Sequence, residues 1–343
     1  MKTLLPQSVS VVCPVFNEAG YIATCVESML MQDMEWTGQE LIFVDGGSTD
    51  GTRAKLDEFA RAHSFIRVLE NPRHITPCAM NIGIRASKGD TLIRIDAHTR
   101  YPRNYISALL AHLEESGADN VGGLCRTLPA KDSVICRSIA LCTSHRFGVG
   151  PALFRTGVSA PREVDTVPFG CYRRKVFEKI GLFDEALLRA QDYELNARLR
   201  ASGGKIMLFP DIVVEYFARD SLRKLGKTYW QNGLFKPLTA KNLKRPTSVR
   251  QLFPALFVAG LIAGGLASVF VPWLWVAYAA VLAIYVLTGL AIGVKAAKRE
   301  RAMGMAICVP WTFVVLHVCY GAGYWVGLWK MIGAGEYHAS FNR

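Results

Sequence analysis

The sequence predicts an α/β domain built on a parallel, helix-covered sheet, followed by a basic amphipathic segment and a C-terminal membrane region. Three observations predict it. Strand-like and helix-like runs alternate four times within the first 95 residues, three of the strand-like runs end in polar residues, and charge vanishes from Gln251 to Val294. Alternation of this kind is the signature of a sheet with helices on both faces, whose ligands lie beyond the carboxyl ends of the strands.

The elements follow in order. Residues 8–13 form a short β-branched apolar run ending at Pro14, as a buried strand does. Ala19 to Gln32 then carries Ile22, Val26, Met29 and Leu30 at helical spacing. The pair repeats as strand Glu40–Val44 with helix Thr52–Ala62, as strand Ile66–Leu69 with helix Thr76–Ser87, and closes on strand Thr91–Ile95. Beyond Asp119 the pattern is less regular, with a strand near Val121–Leu128 and helices near Ser133–His145, Arg174–Ile180 and Gln191–Ala201. These elements set a first domain at 1–217, an interfacial segment at 218–250 and a membrane region at 251–343.

The uncharged stretch 251–294 is long enough for two crossings of about 20 residues each, with Pro272 and Trp273 where a turn would fall. The basic run Lys295 to Arg301 then suits a cytosolic loop. A second apolar block, 302–329, contains Pro310, His317 and glycines 321, 323 and 327, and the sequence leaves open whether it crosses, re-enters or lies flat.

The formal net charge of +12 is local rather than general. Arg219, Arg223, Lys224, Lys227, Lys236, Lys241, Lys244, Arg245 and Arg250 face only Asp220 in their stretch, and they abut the first apolar block. That position points to anionic lipid headgroups rather than nucleic acid. The nine scattered cysteines show no metal-site or redox spacing, so reduced thiols are expected. The opening Lys2, Leu4 and Leu5 are cut short by Pro6, which argues against a signal peptide and for a cytosolic first domain.

The chemistry-bearing residues stand at strand ends. After the first strand comes Pro14-Val15-Phe16-Asn17-Glu18, and after the second Asp45-Gly46-Gly47-Ser48-Thr49-Asp50-Gly51-Thr52. Neither is a Walker loop or a dinucleotide fingerprint. A carboxylate beside a glycine-permitted turn can accept hydrogen bonds from a base or ribose, although Asp-Gly-Gly-Ser is also an ordinary turn. The fourth strand leads into Asp96-Ala97-His98, where an acidic oxygen suits Mg²⁺ or Mn²⁺ on a diphosphate and a histidine nitrogen favours Mn²⁺. The stretch Lys227 to Lys236, with Tyr229, Trp230, Gln231 and Phe235, reads as an interfacial helix, with gripping an acceptor as the alternative.

Taken together, Pro14 to Glu18, Asp45 to Thr52, Asn81-Ile82-Gly83-Ile84, Lys88-Gly89-Asp90, Asp96-Ala97-His98, Gly181 to Glu185 and Gln191-Asp192-Tyr193-Glu194-Leu195 resemble the family 2 glycosyltransferases of the GT-A fold. The resemblance covers about residues 8–217. Asp96 to Pro102, Phe147 to Gly150 and Phe169 to Arg174 are most similar to the glucosyltransferases of bacterial succinoglycan assembly. The resemblance implies an inverting transferase in which Pro14, Phe16, Asn17, Glu18, Asp45, Gly47, Ser48 and Asp96 bind a nucleotide-sugar. Asp96 with His98 would hold the metal, and Asp192 would be the catalytic base. Arg189, Gln191, Trp230 and Gln231 would contact the acceptor. Two departures stand out: the usual Asp-x-Asp reads Asp96-Ala97-His98, and the usual Glu-Asp pair reads Gln191-Asp192. The implied partners are a UDP-sugar, UDP-glucose first, and a lipid-linked sugar acceptor, at the bacterial inner membrane. Two or three spans and the absence of Gln-x-x-Arg-Trp argue against a processive synthase, and retention of Asp45, Asp96 and Asp192 argues against a scaffold without turnover.

Overall fold

A computed structural model of the chain describes residues 8–243 and 249–333, without the side chains of Val249 and Arg250. Lys244, Arg245 and the Arg250 side chain of the basic cluster, and the opening residues 1–7, lie outside the described residues. The described residues divide into two compact units, one of residues 8–126 and 153–216, the other of residues 127–152, 217–243 and 249–333.

The first unit opens with β1 (Val9–Val15), α1 (Ile22–Leu30), β2 (Glu40–Asp45), α2 (Thr52–Ala62), β3 (Ile66–Glu70), α3 (Thr76–Ala86) and β4 (Thr91–Arg94). These are the alternating elements expected from the sequence, and β1–β4 pair in parallel in the order β3-β2-β1-β4. Residues 8–13 were expected to end at Pro14; the strand continues through it to Val15.

The sheet as a whole is mixed, not parallel. Beyond β4 the chain adds β5 (Thr99–Arg100), α4 (Tyr105–Ser116), β6 (Asn120–Leu128), α5 (Val134–Cys142), α6 (Arg146–Val149), α7 (Leu153–Thr156), β7 (Arg162–Glu163), β8 (Cys171–Arg173), α8 (Arg174–Ile180), α9 (Gln191–Ala201) and β9 (Ile206–Phe217). Strand β8 runs antiparallel to both β4 and β6, and β9 pairs antiparallel with β5 and β7. A chain returning through short strands can pair this way without the helical crossover that parallel strands need.

Alternation along β1 fills both faces. Val9, Val11, Cys13 and Val15 pack with Ile22, Val26 and Met29 of α1 and Ile106 and Leu109 of α4 on one side. Val12 joins Ile84 of α3, Val176 of α8 and Leu195 and Leu199 of α9 on the other. Each such side chain, fully buried, contributes roughly 1.5–3 kcal/mol of hydrophobic stabilisation. Helix α3 approaches β1 so closely that a Cβ at Gly83 would collide with Val12.

The second unit contains α5 and α6 together with α10 (Leu222–Leu234), α11 (Lys236–Asn242), α12 (Val249–Phe270), α13 (Leu274–Glu300) and α14 (Met305–Ile332). Residues 127–152, expected within the first domain, therefore pack with the C-terminal helices: Cys142 shares a cluster with Val309 and Phe313 of α14. Helices α12, α13 and α14 are each long and apolar enough to cross a membrane, which indicates membrane association. Pro310 and the glycines do not break the third apolar block, because α14 is one helix of 28 residues. Backbone at Trp230 and Leu234 of α10 occupies the space a Cβ would need at Gly323 and Gly327. Small residues four apart are the usual means of such close approach between apolar helices. None of the nine cysteines is joined in a disulfide, and seven of them are buried.

Candidate active site

The carboxyl ends of β1, β2 and β4 share one edge of the sheet, since Val15 is in register with Asp45 and Val12 with Arg94. The turn after β1 is stitched to the loop after β2. Asn17 adopts a left-handed conformation (φ 53°); its N–H donates to Ser48 Oγ at 2.9 Å and its Oδ1 accepts from the Thr49 N–H at 2.9 Å. The Glu18 N–H donates to Thr52 Oγ1 (2.8 Å) and the Ala19 N–H to Asp50 Oδ2 (3.0 Å). Burial alone would raise the Asp50 pKa, but hydrogen bonds from the Thr52 hydroxyl and from the Ala19 and Thr52 N–H groups outweigh it and hold the carboxyl below its ordinary value. The clamp it makes is thus fully present above the ordinary carboxylate pKa and loosens as pH falls through the lowered one.

Asp45 is buried, and its Oδ1 accepts from the Ser48 hydroxyl at 2.6 Å. The loop is therefore bonded to itself through the Asp45 carboxylate, which orders it from within. Gly47 sits at φ 78°, where His74 of the loop after β3 lies 3.1 Å from the position of an added Cβ. The His74 ring Nδ1 is 2.6 Å from the Gly46 carbonyl oxygen. His74 escapes sequence reading because nothing local links it to a turn 28 residues away.

At the end of β4 the backbone of Asp96 is held on both sides by one hydroxyl. Tyr101 Oη accepts from the Asp96 N–H (2.7 Å) and donates to the Asp96 carbonyl (3.2 Å). Tyr101 is fully buried, and burial raises its pKa well above the ordinary value, so the hydroxyl stays a donor. The Asp96 side chain is half-buried at the rim. His98 is buried, its Nδ1 3.4 Å from Glu18 Oε1 and its ring edge-on to Tyr216 at 4.7 Å between centroids. Glu18, which the resemblance set beside the nucleotide, is itself enclosed with His98.

The contact that sequence reading missed is Arg94 with Asp192. Arg94, the last residue of β4, is buried, and its guanidinium meets the Asp192 carboxylate in the first turn of α9. The Asp192 side chain keeps 33% of its surface exposed. A cation so close neutralises the carboxylate and fixes its direction. One strand end thus supplies both the partner of Asp192 and, two residues on, Asp96. Helix α9 begins at Gln191, which is buried, and Ala190 before it is left-handed (φ 62°).

The family model for glycosyl transferase family 2 matches residues 10–181, half of the chain. The chain belongs to glycosyl transferase family 2. The succinoglycan biosynthesis protein ExoA of Rhizobium meliloti is 28% identical to this family 2 glycosyltransferase over 320 residues, 92% of this chain and 93% of that protein. A dolichyl N-acetyl-α-D-glucosaminyl phosphate 3-β-D-2,3-diacetamido-2,3-dideoxy-β-D-glucuronosyltransferase of Methanococcus voltae is 26% identical over 330 residues, 94% of this chain and 97% of that protein. Among solved structures, the mannosyltransferase PcManGT of Pyrobaculum calidifontis, in complex with GDP-Man and Mn²⁺, superposes with a TM-score of 0.58 at 19% identity, covering 95% of this chain and 88% of that one. That superposition shows the shared GT-A fold.

Several motifs that mark the glycosyltransferase prove to be fold joints. Asn81 on α3 is buried and grips the backbone of Phe183, donating to its carbonyl and accepting from its N–H, both at 2.9 Å. It also donates to Glu185, which pairs with Arg73. Arg198 of α9 is paired with Glu194 and donates to the Leu182 carbonyl at 2.7 Å. Gly89 leaves room for the β1 backbone, and its N–H donates to Ser10 Oγ. Replacing Asn81 with Leu leaves two backbone groups of Phe183 unpaired, each costing about 1–3 kcal/mol. A fall in Tm with the α/β circular-dichroism spectrum retained is the expected result, and an unchanged Tm would remove Asn81 from this role.

Trp230 and Gln231 lie on α10 in the second unit, Trp230 exposed and Gln231 buried. Pro14 ends within β1, Phe16 is half-buried in the turn that follows, and Arg189 precedes α9. Among the described residues no group of three or more His, Cys, Asp or Glu side chains gathers to hold a cation. A metal on a diphosphate needs fewer protein ligands, since Mg²⁺ sites are commonly built from one or two carboxylates, substrate phosphates and water. The half-buried Asp96 at the rim fits that donor set, whereas the enclosed, Glu18-facing His98 fits it less well.

Proposed function

We propose that this glycosyltransferase moves a hexose, glucose from UDP-glucose, in β-linkage onto a polyprenyl diphosphate-linked sugar in bacterial exopolysaccharide assembly, acting with inversion from the cytosolic side of the inner membrane. The observation that carries it is the end of β4, where Arg94 holds Asp192 and Asp96 stands two residues on, on the rim shared with Asp45. The likeness to ExoA supports the pathway, and the lipid-linked, β-forming reaction in the Methanococcus voltae enzyme's name supports the acceptor class and linkage.

In this reading Asp192 accepts the proton of the acceptor hydroxyl as its oxygen bonds to the anomeric carbon and the diphosphate leaves from the opposite face. Arg94 keeps the carboxylate aimed. Asp96 would hold Mn²⁺ or Mg²⁺, and the cation, when bound, would supply counter-charge to the diphosphate leaving group. The Asn17–Ser48 and Asp45–Ser48 bonds keep the nucleotide end of the site ordered before the donor arrives. The membrane helices confine the enzyme to the surface that carries its acceptor.

Incubating the purified protein with radiolabelled sugar nucleotides and a bacterial lipid extract tests the proposal. Label from UDP-glucose is expected in the organic phase as a β-glucoside. Label entering lipid only from other nucleotides would overturn the donor, and label released only as free sugar would overturn the acceptor.

A further inference from the structure

The third apolar helix has the length to cross a membrane, yet its neighbours describe a different course. The first half of α14 runs back along the end of α13. Met305 and Ala306 lie against Gly293, Pro310 against Gly289, and the Tyr285 hydroxyl is 2.8 Å from His317 Nδ1. Its second half runs back along the start of α12. Phe257 faces His317 at 6.4 Å between centroids, Pro254 and Val258 border Gly321, and Trp325 Nε1 donates to the Ala255 carbonyl at 2.8 Å. Tyr324, Leu328 and Met331 then share a groove with Leu252 and with Pro237 and Lys241 of α11.

Phe257 and Tyr285 stack at 4.6 Å and so mark one level of the α12–α13 hairpin. Helix α14 meets α13 between Tyr285 and Gly293 and α12 between Leu252 and Val258, so both of its halves lie near that level or toward the base of the hairpin. A third span of an up-down-up bundle would instead climb beside α12, toward Leu261 and Ser268. There the hairpin is closed by its own residues, with the Tyr278 hydroxyl donating to the Leu261 carbonyl at 3.0 Å.

We propose that α14 lies in the plane of the membrane surface, across the base of the hairpin, so that α12 and α13 alone cross and both ends of α14 stay on one side. The partner of its outer face is the boundary between lipid headgroups and acyl chains. Ile307, Trp311, Trp325, Trp329 and Ile332 are exposed, with half-buried Val314 and Val318 continuing the same line at helical spacing. The opposite face, with Met305, Val309, Phe313, Leu316, Tyr320 and Gly327, is buried, and the helix packs on α5, α10, α12 and α13. Tryptophan is the side chain that settles at this boundary, and a helix buried on one side and apolar on the other is suited to lie along it. Basic residues flank both ends, Lys295, Lys298, Arg299 and Arg301 before α14 and Lys330 in its last turn, as expected for one cytosolic side.

The inference rests on membrane anchoring through the hairpin, and the test separates the two. In full-length protein with Cys308 and Cys319 replaced by Ala, single cysteines are placed at the exposed positions Met303, Trp273 and Ile332. Each is treated with a membrane-impermeant maleimide in right-side-out and in inverted vesicles. Met303→Cys and Ile332→Cys are expected to react from the same side and Trp273→Cys from the other. Ile332→Cys reacting together with Trp273→Cys would overturn the in-plane course and leave the anchor standing. Trp273→Cys reacting on the side of Met303→Cys would overturn both. If the substitutions impair folding, a C-terminal fusion to the unaltered chain gives the same answer: a fluorescent protein reporting the cytosol is expected, and an active periplasmic phosphatase would overturn the proposal.

Discussion

Asp192→Asn is expected to lower kcat by about 10²-fold or more while leaving UDP-sugar affinity nearly unchanged. Asparagine keeps the size of the side chain and a hydrogen-bonding oxygen but cannot take a proton. The competing account, in which an acidic residue merely favours a helix N-terminus, is worth about 0.3–1 kcal/mol and predicts near-normal turnover. The contact with the buried Arg94 adds a second expectation. Asp192→Asn leaves that guanidinium without its counter-charge, so it should also lower Tm, and kcat has to be read on protein shown to be folded. Arg94→Lys keeps the charge and loses the planar fork; it should depress kcat less than Asp192→Asn and leave donor affinity in place. Turnover of Asp192→Asn within a few-fold of the parent would remove Asp192 from the mechanism.

The second large effect is expected at Asp96. Asp96→Ala should abolish the stimulation of turnover by Mn²⁺ or Mg²⁺, a loss of about 10²-fold or more, with the fold intact because the loop is held through its backbone by Tyr101. Full cation-dependent turnover in that variant would refute the assignment. For His98→Asp the sequence alone predicts surviving activity with a shift toward Mg²⁺, since an all-oxygen site is harder. The structure adds a cost, because the new carboxylate would stand beside the buried Glu18 where His98 Nδ1 now lies. Two carboxylates in one enclosed place disfavour each other. The expected outcome is a lowered Tm accompanying the shift in metal preference, and an unchanged preference would mean that His98 does not ligate the cation.

The parts of the fold visible in the sequence are those whose signal is local. Strands β1–β4 announce themselves as apolar runs bounded by turn residues, and α2, α8 and α9 agree with the expected helices residue for residue. Helix α4 carried a readable pattern in Tyr105, Ile106, Leu109 and Leu113, yet it lies in a stretch left unassigned between the two halves of the domain. Strand β9 was hidden by Pro210, which argues against a strand interior even though the chain remains extended through it. Strands β5, β7 and β8 are only two or three residues long and exist through their partners.

The candidate site divides in the same way. Asp45, Asp96 and Asp192 stand out as polar residues at the ends or starts of elements. Their supports do not: His74, Tyr101 and Arg94 act on groups that only the folded topology brings near. Asn81 and Gly89 show the reverse, since they read as marks of function by resemblance while their contacts are those of assembly.

Strand β4 couples two tasks that the chemistry treats as separate. Its hydrogen-bond register with β1 and β8 sets Arg94, which in the proposed mechanism serves the acceptor side through Asp192, and the chain then reaches Asp96, proposed to serve the donor side. A slip of one residue would reverse the facing of the strand and displace both at once. Lengthening or shortening this strand would therefore disturb both halves of the proposed reaction together.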